Sequence, residues 1–409
     1  MSRACSIAAW AGLACVAAQA QEAGSGISIP ATISGEARYG NLQNGYADAS
    51  ASAGFRLVVT PTLRLGSHWF AYSAFDVRSS SYYGYESGPD SDRPVRVSLM
   101  QAFLGYNRNI GKASILVKAG RLNSAFGWFA TQYDDAKTPF PNPPPSYLTT
   151  LPLRPDQLPC GVKDLLLQEP GEEIDFECGG SQSEAYGMIP ATLYGLPGAE
   201  IDLSVARFDV RVQVTNSSPV NPQGLTSSSQ FAQWTSGGGY TFSSGLHVGV
   251  SAFRGPYLDH VLQPLLPSGA IRSFPAAGFG TDLQWARGRW SMDGEWQRFR
   301  FNLPGFQTSP SEQIAYGELK AILTPRMFVA VRASELDPGR VEDSLAVIAD
   351  HGAPPQQVYE FGFGFRPNNH QLIKLAYERV NRASYWQQHG NGLELQLVTS
   401  VTAFARAFR

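Results

Sequence analysis

The sequence predicts an all-β protein, a transmembrane antiparallel β-barrel of about 16 strands with a long third extracellular loop. Apolar and polar residues alternate in one run after another, as in 359–366, and in a strand this pattern gives one apolar and one polar face. Short and long connections between the runs also alternate, which indicates turns at one rim and loops at the other. Beyond the N-terminus, no stretch has the ~20 consecutive apolar residues of a membrane helix.

The composition excludes several other classes of protein. The 409 residues carry a net charge of -2, and 16% of them are charged, whereas soluble domains usually have ~25%. A chain this close to neutral is not an electrostatic nucleic-acid binder, so we expect no nucleic-acid partner. Since 43% of the residues are hydrophobic and 12% aromatic, a disordered chain is also excluded.

The N-terminal segment 1–20 has the pattern of an export signal. Arg3 supplies a positive charge, residues 4–18 are small and apolar, and Ala18-Gln19-Ala20 is a cleavage signature. We therefore expect a cleaved signal peptide over 1–20 and a mature barrel over 21–409, exported to the bacterial outer membrane. The alternative is a short buried helix.

Export also decides how the cysteines are interpreted. Cys160 and Cys178 are the two that remain after cleavage, and both lie in one irregular segment. An isolated pair in an oxidising compartment predicts a disulfide. A zinc site would need further Cys or His ligands, and none lies between these two, so we expect neither a metal nor a cofactor.

The alternating runs give a predicted set of strands. Hydrocarbon offers no hydrogen-bond partners to the backbone, so strands cross it only as a closed sheet, with apolar residues towards lipid and polar residues towards the lumen. A β-propeller or β-helix is the alternative, but it predicts a sequence repeat that the chain does not show. The predicted strands are 31–39, 51–60, 63–77, 94–106, 113–121, 199–206, 208–216, 229–242, 246–256, 275–286, 289–302, 312–323, 327–335, 357–366, 370–381 and 392–408.

Connections between these strands fall into two groups. One group is short and includes Pro61-Thr62, Ser243-Ser244-Gly245 and Arg287-Gly288, whereas the other is long and includes 122–198. An even number of strands returns both termini to the short-turn, periplasmic rim. The long segment is then the third loop on the extracellular side.

This architecture resembles that of a bacterial general porin with 16 strands, and the resemblance covers the whole mature chain. The stretch Gly120-Arg121-Leu122-Asn123-Ser124-Ala125-Phe126-Gly127 is also similar to a stretch in porins of the phosphate-selective type. The chain departs from the family at its end, where Arg409 follows Phe408 and the family usually has a terminal aromatic residue. The resemblance implies a homotrimer in which the third loop, 122–198, folds into the pore and narrows it. The alternative is an extracellular cap that touches lipopolysaccharide.

Strand alternation assigns charged side chains of both signs to the inner wall. The loop 122–198 differs, because its acids far outnumber its bases. If the loop enters the pore, it sets acids against the bases of the early strands, and rows of opposed charge are how wide pores discriminate ions. We therefore predict a weak cation preference; the alternative is that these carboxylates are solvated loop surface. The predicted pore-lining bases are Arg56, Arg64, Lys118 and Arg121, the pore-lining acids are Asp282, Asp293, Glu295 and Glu318, and the acids of the pore loop are Asp134, Asp135, Glu172 and Glu173.

We therefore predict a porin that allows passive diffusion of small polar solutes and ions, with outer-membrane lipid and lipopolysaccharide as its surroundings. One alternative is a substrate-specific channel for phosphate, sugar or another nutrient. Another is a non-conducting barrel with a structural or adhesive role. We do not expect an enzyme, because the sequence contains neither an H-E-x-x-H nor a G-x-S-x-G motif.

Overall fold

The structure is a computed structural model, and it describes residues 25–41, 50–82, 94–166, 174–176, 178–181, 187–222, 231–267, 270–306, 308–342, 349–351, 355–382 and 388–407. The chain forms a closed antiparallel barrel in which each strand pairs with the next and the first pairs with the last. The predicted all-β fold of 16 strands is confirmed. The strands are β1 Gly26–Gly40, β2 Ser50–Val59 with Thr62–Leu65, β3 Trp69–Ser79, β4 Val95–Ile110, β5 Ala113–Asn123, β6 Tyr194–Val205, β7 Phe208–Thr215, β8 Gln233–Thr241, β9 Leu246–Pro256, β10 Pro275–Arg287, β11 Trp290–Phe301, β12 Ser311–Thr324, β13 Met327–Pro338, β14 Gln356–Asn368, β15 Gln371–Arg382 and β16 Gln388–Ala407.

The prediction of a turn at Pro61-Thr62 is wrong. Both parts of β2 pair with β1, so the chain continues in the same direction through Pro61. Proline has no N–H to donate, but its carbonyl accepts from Ser73 N at 3.0 Å, which keeps β3 attached across the interruption. The turn follows at 66–68, where Gly66 has a φ of 80°. The predicted strands 51–60 and 63–77 therefore become β2 and β3, with their boundary moved towards the C-terminus.

Inward and outward side chains alternate as predicted. On β16, for example, Leu393, Leu395 and Leu397 are exposed on the outer face, whereas Glu394 and Gln396 are fully buried on the inner face. An apolar outer face and a polar inner face are what a transmembrane barrel requires. In the part of the chain that the structure describes, none of the helices has the length and apolar character needed to cross a membrane.

The helices are short and lie in the long loops. Among the described residues these are the α-helices α1 Phe129–Gln132 and α2 Val162–Leu166 and the 3₁₀ helices Pro145–Tyr147, His260–Leu265 and Ala270–Ser273. A two-stranded hairpin, Arg340–Glu342 with Ala349–His351, lies in the loop after β13. The apolar core lies inside the barrel, where the third loop meets the inner faces of β9 to β13.

Candidate functional site

The third loop connects β5 to β6 over residues 124–193 and enters the lumen. It leaves β5 along the inner wall, where Gln213 Nε2 on β7 donates to Asn123 O at 2.8 Å. Gly127 N then donates to Ser251 Oγ on β9 at 3.1 Å. Helix α1 follows, and its first backbone N–H, on Phe129, donates to the Glu295 carboxylate on β11. The loop therefore follows the inner wall from β5 to β11.

Beyond α1 the loop reaches the opposite wall through Asp135. One carboxylate oxygen accepts from Arg56 Nη1 on β2 at 3.0 Å and from Tyr133 Oη at 2.7 Å. The other oxygen accepts from Ser34 Oγ on β1 at 2.9 Å and from Tyr82 Oη at 3.0 Å. The Asp135 side chain is almost completely buried, and four groups from the wall and the loop donate to its carboxylate.

The charge state of Asp135 follows from these contacts. Burial opposes ionisation, but the Arg56 guanidinium and, further away, the Lys374 ammonium outweigh it and hold the pKa of the Asp135 carboxyl below its ordinary value of 3.8. Arg56 also donates from Nε to Asp76 Oδ1 at 2.6 Å on β3. The result is a buried ion-pair network between the tip of the loop and the wall.

Asn142 attaches the returning part of the loop to four strands. Its Oδ1 accepts from Arg38 Nη2 on β1 at 2.7 Å, and its backbone oxygen accepts from Arg332 Nη2 on β13 at 2.8 Å. Its Nδ2 donates to Glu378 on β15 at 3.0 Å and to Glu394 on β16 at 2.7 Å. One asparagine therefore contacts two bases and two acids of the inner wall.

The stretch before Asn142 packs on the same wall. The Phe140 ring is fully buried against Ala330 and Ala376, with the Arg332 guanidinium 4.6 Å from the ring centroid. Lys374 Nζ donates to Phe140 O at 3.2 Å. Wall cations thus bind backbone oxygens of the loop here.

Tyr147 returns the loop to β11. Its hydroxyl donates to Glu295 Oε2 at 2.7 Å and accepts from Gln297 Nε2 at 2.8 Å. Burial and the neighbouring Glu295 carboxylate raise the pKa of Tyr147 well above its usual range, so the phenol keeps the proton that it donates. Glu295 therefore receives hydrogen bonds from both ends of the segment 129–147.

An apolar core fills this side of the lumen. Phe126 is fully buried between Phe253 and Phe299, at ring-centroid distances of 4.9 and 5.6 Å. The later part of the loop extends the same core with Leu151, Leu165 and other apolar side chains. These apolar side chains of the loop therefore pack closely against the inner faces of β9 to β12.

A disulfide between Cys160 and Cys178 cross-links the later part of the third loop, with a Cα–Cα distance of 4.9 Å. This prediction is confirmed. Nearby, Arg154 pairs with Asp156 at 2.9 Å and donates to Ile174 O at 2.7 Å.

The other side of the lumen contains a cavity of about 590 Å³ between the loop and β2 to β5. Turn residues, among them His68 and His370, line one end, and Tyr133, Asp134 and Asp135 line the other. The cavity therefore extends from the tip of the loop towards the short-turn rim. Residues of β1 and β16 also line it, and the side chains along its wall include Arg56, Arg64, Phe70, Tyr72, Met100, Gln101, Phe103 and Lys118.

Of the four predicted pore-lining bases, three lie on the inner side of the barrel and one does not. Arg56 and Lys118 are buried on the inner face, and Lys118 pairs with Glu200 and with Asp202 at 3.0 Å. Arg64 lines the cavity. Arg121 lies three residues from Lys118, on the opposite face of β5, and donates from Nε to Leu99 O at 2.8 Å. Arg121 is therefore not one of the bases that line the cavity.

The predicted acids also occupy distinct places. Asp134 lies at the cavity, 3.5 Å from Lys137, whereas Glu172 and Glu173 lie outside the described residues. Glu295 holds the loop, and Glu318 is 3.7 Å from Arg332. The remaining two acids of the wall face the lumen, where Asp282 is buried and Asp293 is half-buried.

Sequence reasoning missed the residues that hold the loop to the wall, chiefly Arg38, Asn142 and Tyr147. Arg38 could have been found, because it shares the inward parity of Ser34 and Glu36 on the predicted first strand. Asn142 and Tyr147 lie in an irregular proline-rich stretch, where no periodicity shows which way a side chain points.

No protein-family model matches the chain, and none of the curated proteins does either. Solved structures do match it. The outer membrane channel DcaP of Acinetobacter baumannii has a TM-score of 0.55 at 11% identity, over 92% of this chain and 98% of that one. The anion-selective porin from Comamonas acidovorans has a TM-score of 0.54 at 8% identity, over 92% and 100%. Pseudomonas putida OprB has a TM-score of 0.54 at 12% identity, over 96% and 97%.

The chain has the fold of outer-membrane porins. At these identities the likeness shows the fold, and it confirms the predicted resemblance to general porins at that level. The apolar outer face agrees with a place in the bacterial outer membrane.

Proposed function

We propose that this protein is an outer-membrane porin through which small polar solutes and ions diffuse passively. The observation that carries the proposal is the cavity of about 590 Å³ beside β2 to β5, which the third loop leaves open while it fills the opposite side. Fixed charges and polar groups along a wet wall can partly replace the hydration of a passing solute. The third loop acts as the constriction, since Asp134 and Asp135 lie at one end of the cavity.

We also propose that ion selectivity is weak, with the cation preference predicted from the acidic loop. Around the cavity the described charges nearly balance, because most bases are matched by acids: Arg56 with Asp76 and Asp135, Lys118 with Glu200 and Asp202, and Lys137 with Asp134. Paired charges attract free ions less than single ones do. Asp134 is the acid that supports a cation preference, because a third of its side chain is exposed at the cavity.

Planar-bilayer recording with a cysteine probe tests the channel proposal. The probe is Gln101→Cys, which places a thiol on the cavity wall, and the control is Ser251→Cys, which places one under the loop on β9. The native pair Cys160–Cys178 is already oxidised and does not compete for the reagent. We expect stepwise conductance that falls when a bulky thiol reagent is added to Gln101→Cys, with little change for Ser251→Cys. Correctly folded protein that does not conduct would reject the proposal and favour a structural or adhesive barrel.

A substrate-specific channel is the second candidate, and one observation favours it. Phe70, Tyr72 and Phe103 pack edge to face or tilted along the cavity, with ring centroids 5.2 to 6.0 Å apart, and Lys118 Nζ lies 6.0 Å from the Phe103 centroid. Such a wall could bind one face of a phosphate-bearing or sugar-like nutrient. A nutrient that binds there should block ion current in a saturable way, whereas a general porin should show no saturation.

We further propose a homotrimer, on the strength of the porin architecture alone. Native mass spectrometry of the detergent-purified protein should give three times the mass of the mature chain. A monomer under conditions that preserve the barrel would reject the trimer and leave the channel proposal unaffected.

A further inference from the structure

Three inward-facing aromatic rings form a continuous surface on one wall of the cavity. Phe70 and Tyr72 alternate on β3, and Phe103 lies directly opposite Tyr72 on β4. The centroid of the Phe103 ring lies 6.0 Å from that of Phe70 and 5.2 Å from that of Tyr72. All three residues line the cavity, and we call them the aromatic platform.

Phe70 presents one face of its ring to the cavity, because the other face lies on the barrel wall. Gly105 is directly opposite Phe70 on β4. A Cβ atom at Gly105 would lie 2.3, 2.5 and 2.9 Å from three atoms at the tip of the Phe70 ring. Distances this similar place that point above the plane of the ring and not beyond its edge. The ring therefore lies flat over the glycine, which has no side chain to displace it.

The most deeply buried bases of this wall are occupied by acids of the protein. The side chains of Arg56 and Lys118 are each only 2% exposed. Arg56 pairs with acids of β3 and the loop, and Lys118 pairs with two acids of β6. A solute that lies on the aromatic platform therefore meets ring faces more than it meets these two charges.

Apolar side chains border much of the aromatic platform. Ala74 follows Tyr72 on the inner face of β3, Met100 lies on β4 and Leu116 lies on β5. Thr62, opposite Tyr72 on β2, adds one hydroxyl at the edge. A flat apolar surface with polar groups at its ends suits a molecule that has an apolar ring and a polar substituent. Polar side chains towards the ends of the cavity are Arg64, Ser67 and Asn107 near the short turns and Thr131 and Gln132 on the loop.

We propose that the aromatic platform binds solutes that carry a planar aromatic ring and a polar substituent, so that the channel favours this class. The inference rests on the proposed channel function and names the solute that the cavity selects. Aromatic rings pair in offset or edge-to-face arrangements at centroid distances of ~4.5–7 Å, the geometry that the platform already has within itself. The ring of the solute adds one more member to that stack, and its polar substituent reaches side chains at either end of the cavity.

The surroundings of the platform favour an aromatic solute over the two other nutrients considered above. A phosphate group binds best to guanidinium and ammonium groups, but Arg56 and Lys118 are already paired with acids. A sugar needs several hydrogen-bonding groups around its ring, whereas Ala74, Met100 and Leu116 offer no N–H or O–H group from their side chains.

Block of ion current by free amino acids tests this site in planar bilayers. L-tryptophan and L-leucine are both zwitterions without net charge, but only tryptophan has an aromatic ring. We expect tryptophan to block the wild type in a saturable way at about one-tenth of the concentration that leucine requires. The test variant Phe70→Leu/Tyr72→Leu keeps apolar side chains but removes two ring faces. Tryptophan should block it about tenfold more weakly, measured against the open current of the same variant.

Two further variants are controls. Phe328→Leu removes an inward-facing ring of β13 that packs with Leu372 and Val398 and does not line the cavity, so block by tryptophan should not change. Tyr72→Phe keeps the ring and removes its hydroxyl, so block should be retained. Folding is checked by the shift in gel mobility between heated and unheated samples, and Phe70→Leu alone replaces the double variant if that variant does not fold.

Each remaining outcome decides against the proposal in a different way. Equal block by tryptophan and leucine in a conducting channel would overturn it and leave the channel function intact. Block by glucose or inorganic phosphate at lower concentrations than tryptophan would overturn it and favour a sugar-like or phosphate-bearing nutrient. Folded protein that does not conduct would reject the channel and this proposal together. If Phe328→Leu weakens block as much as the test variant, the loss comes from a general change in the barrel wall and the platform is rejected.

Discussion

The two sides of the lumen carry similar inward-facing side chains, but the loop covers one side and leaves a cavity on the other. On β9 to β12, inward aromatic rings are covered by the loop, and Phe299 and Phe301 are almost completely buried. On β3 and β4, inward aromatic rings such as Phe70 and Tyr72 line a cavity of about 590 Å³ instead. The strands themselves do not decide which side is open. The loop does, because its apolar residues cover one wall and its polar residues bind the other.

This contrast separates two roles that an inner wall can have. The packed side stabilises the loop, since its aromatic side chains exclude water and its Glu295 satisfies loop donors. The open side leaves some of its charges, such as those of Asp134 and Lys137, partly exposed at the cavity, where they can meet a solute. Variants matched across the two sides should therefore differ in stability on one side and in conductance on the other.

The largest expected difference comes from removing one ring on each side. Phe126→Ala deletes a fully buried ring between Phe253 and Phe299 and should lower the free energy of unfolding by about 3–5 kcal/mol. Phe70→Ala removes a ring that borders the cavity and should cost about 1 kcal/mol while it raises conductance. Urea unfolding in vesicles, followed by tryptophan fluorescence, gives the first quantity. Equal losses of stability would contradict the contrast between the two sides.

Two glycines sharpen the comparison, because each faces an aromatic ring across a strand pair. An added methyl at Gly278 would lie 2.2 Å from the Phe253 ring, and one at Gly105 would lie 2.3 Å from the Phe70 ring. Phe253 is enclosed, so Gly278→Ala should cost about 1–3 kcal/mol. Phe70 can move into the cavity, so Gly105→Ala should reduce conductance with a smaller loss of stability. Bilayer recording and urea unfolding of both variants distinguish these outcomes, and a fall in conductance for Gly278→Ala alone would contradict them.

The sequence determines the barrel more clearly than the site. Period-two alternation is clear in strands such as β13 and β16, so the exposed leucines of β16 could be assigned directly, and so could the inward side of Lys118 and Glu394. Pro61 misled the assignment because an X–Pro step in a continuous strand looks like a turn. Asn142 and Tyr147 could not be assigned, because their contacts depend on how an irregular loop folds across strands far away in sequence. The apolar covering of β9 to β12 was missed for the same reason.

The Asp135 network should respond to acid, and the direction follows from its pKa. A carboxyl with a lowered pKa stabilises the fold above its ordinary value of 3.8 and loses that contribution as the pH falls through the lowered value. We therefore expect the tip of the loop to stay attached at pH 5 and to loosen only in stronger acid. Asp135→Asn should imitate that state at neutral pH, with a loss of about 1–3 kcal/mol, because the buried Arg56 guanidinium loses the charge of one of the carboxylates that it pairs with.

Current noise in single-channel records measures loosening of the loop tip. Noise should rise for Asp135→Asn at neutral pH, and it should rise for the wild type only in strong acid. Asp134→Asn serves as the control, since the described ion pair of Asp134 is with Lys137. If the wild type becomes noisy near pH 6, a different group controls the loop.

The smallest expected effect concerns ion selectivity on the open side. Asp134 is partly exposed at the cavity and lies 3.5 Å from an exposed Lys137, so water and this partner screen its charge. Asp134→Asn should lower the cation-to-anion permeability ratio slightly, measured as the reversal potential across a salt gradient, and the shift should vanish near 1 M salt, where screening acts over ~3 Å. Glu335→Gln, on the outer face of β13, removes the same charge away from the lumen and should leave the reversal potential unchanged. A shift of equal size in both variants would mean that the loop does not set selectivity, because only one of the two carboxylates faces the cavity.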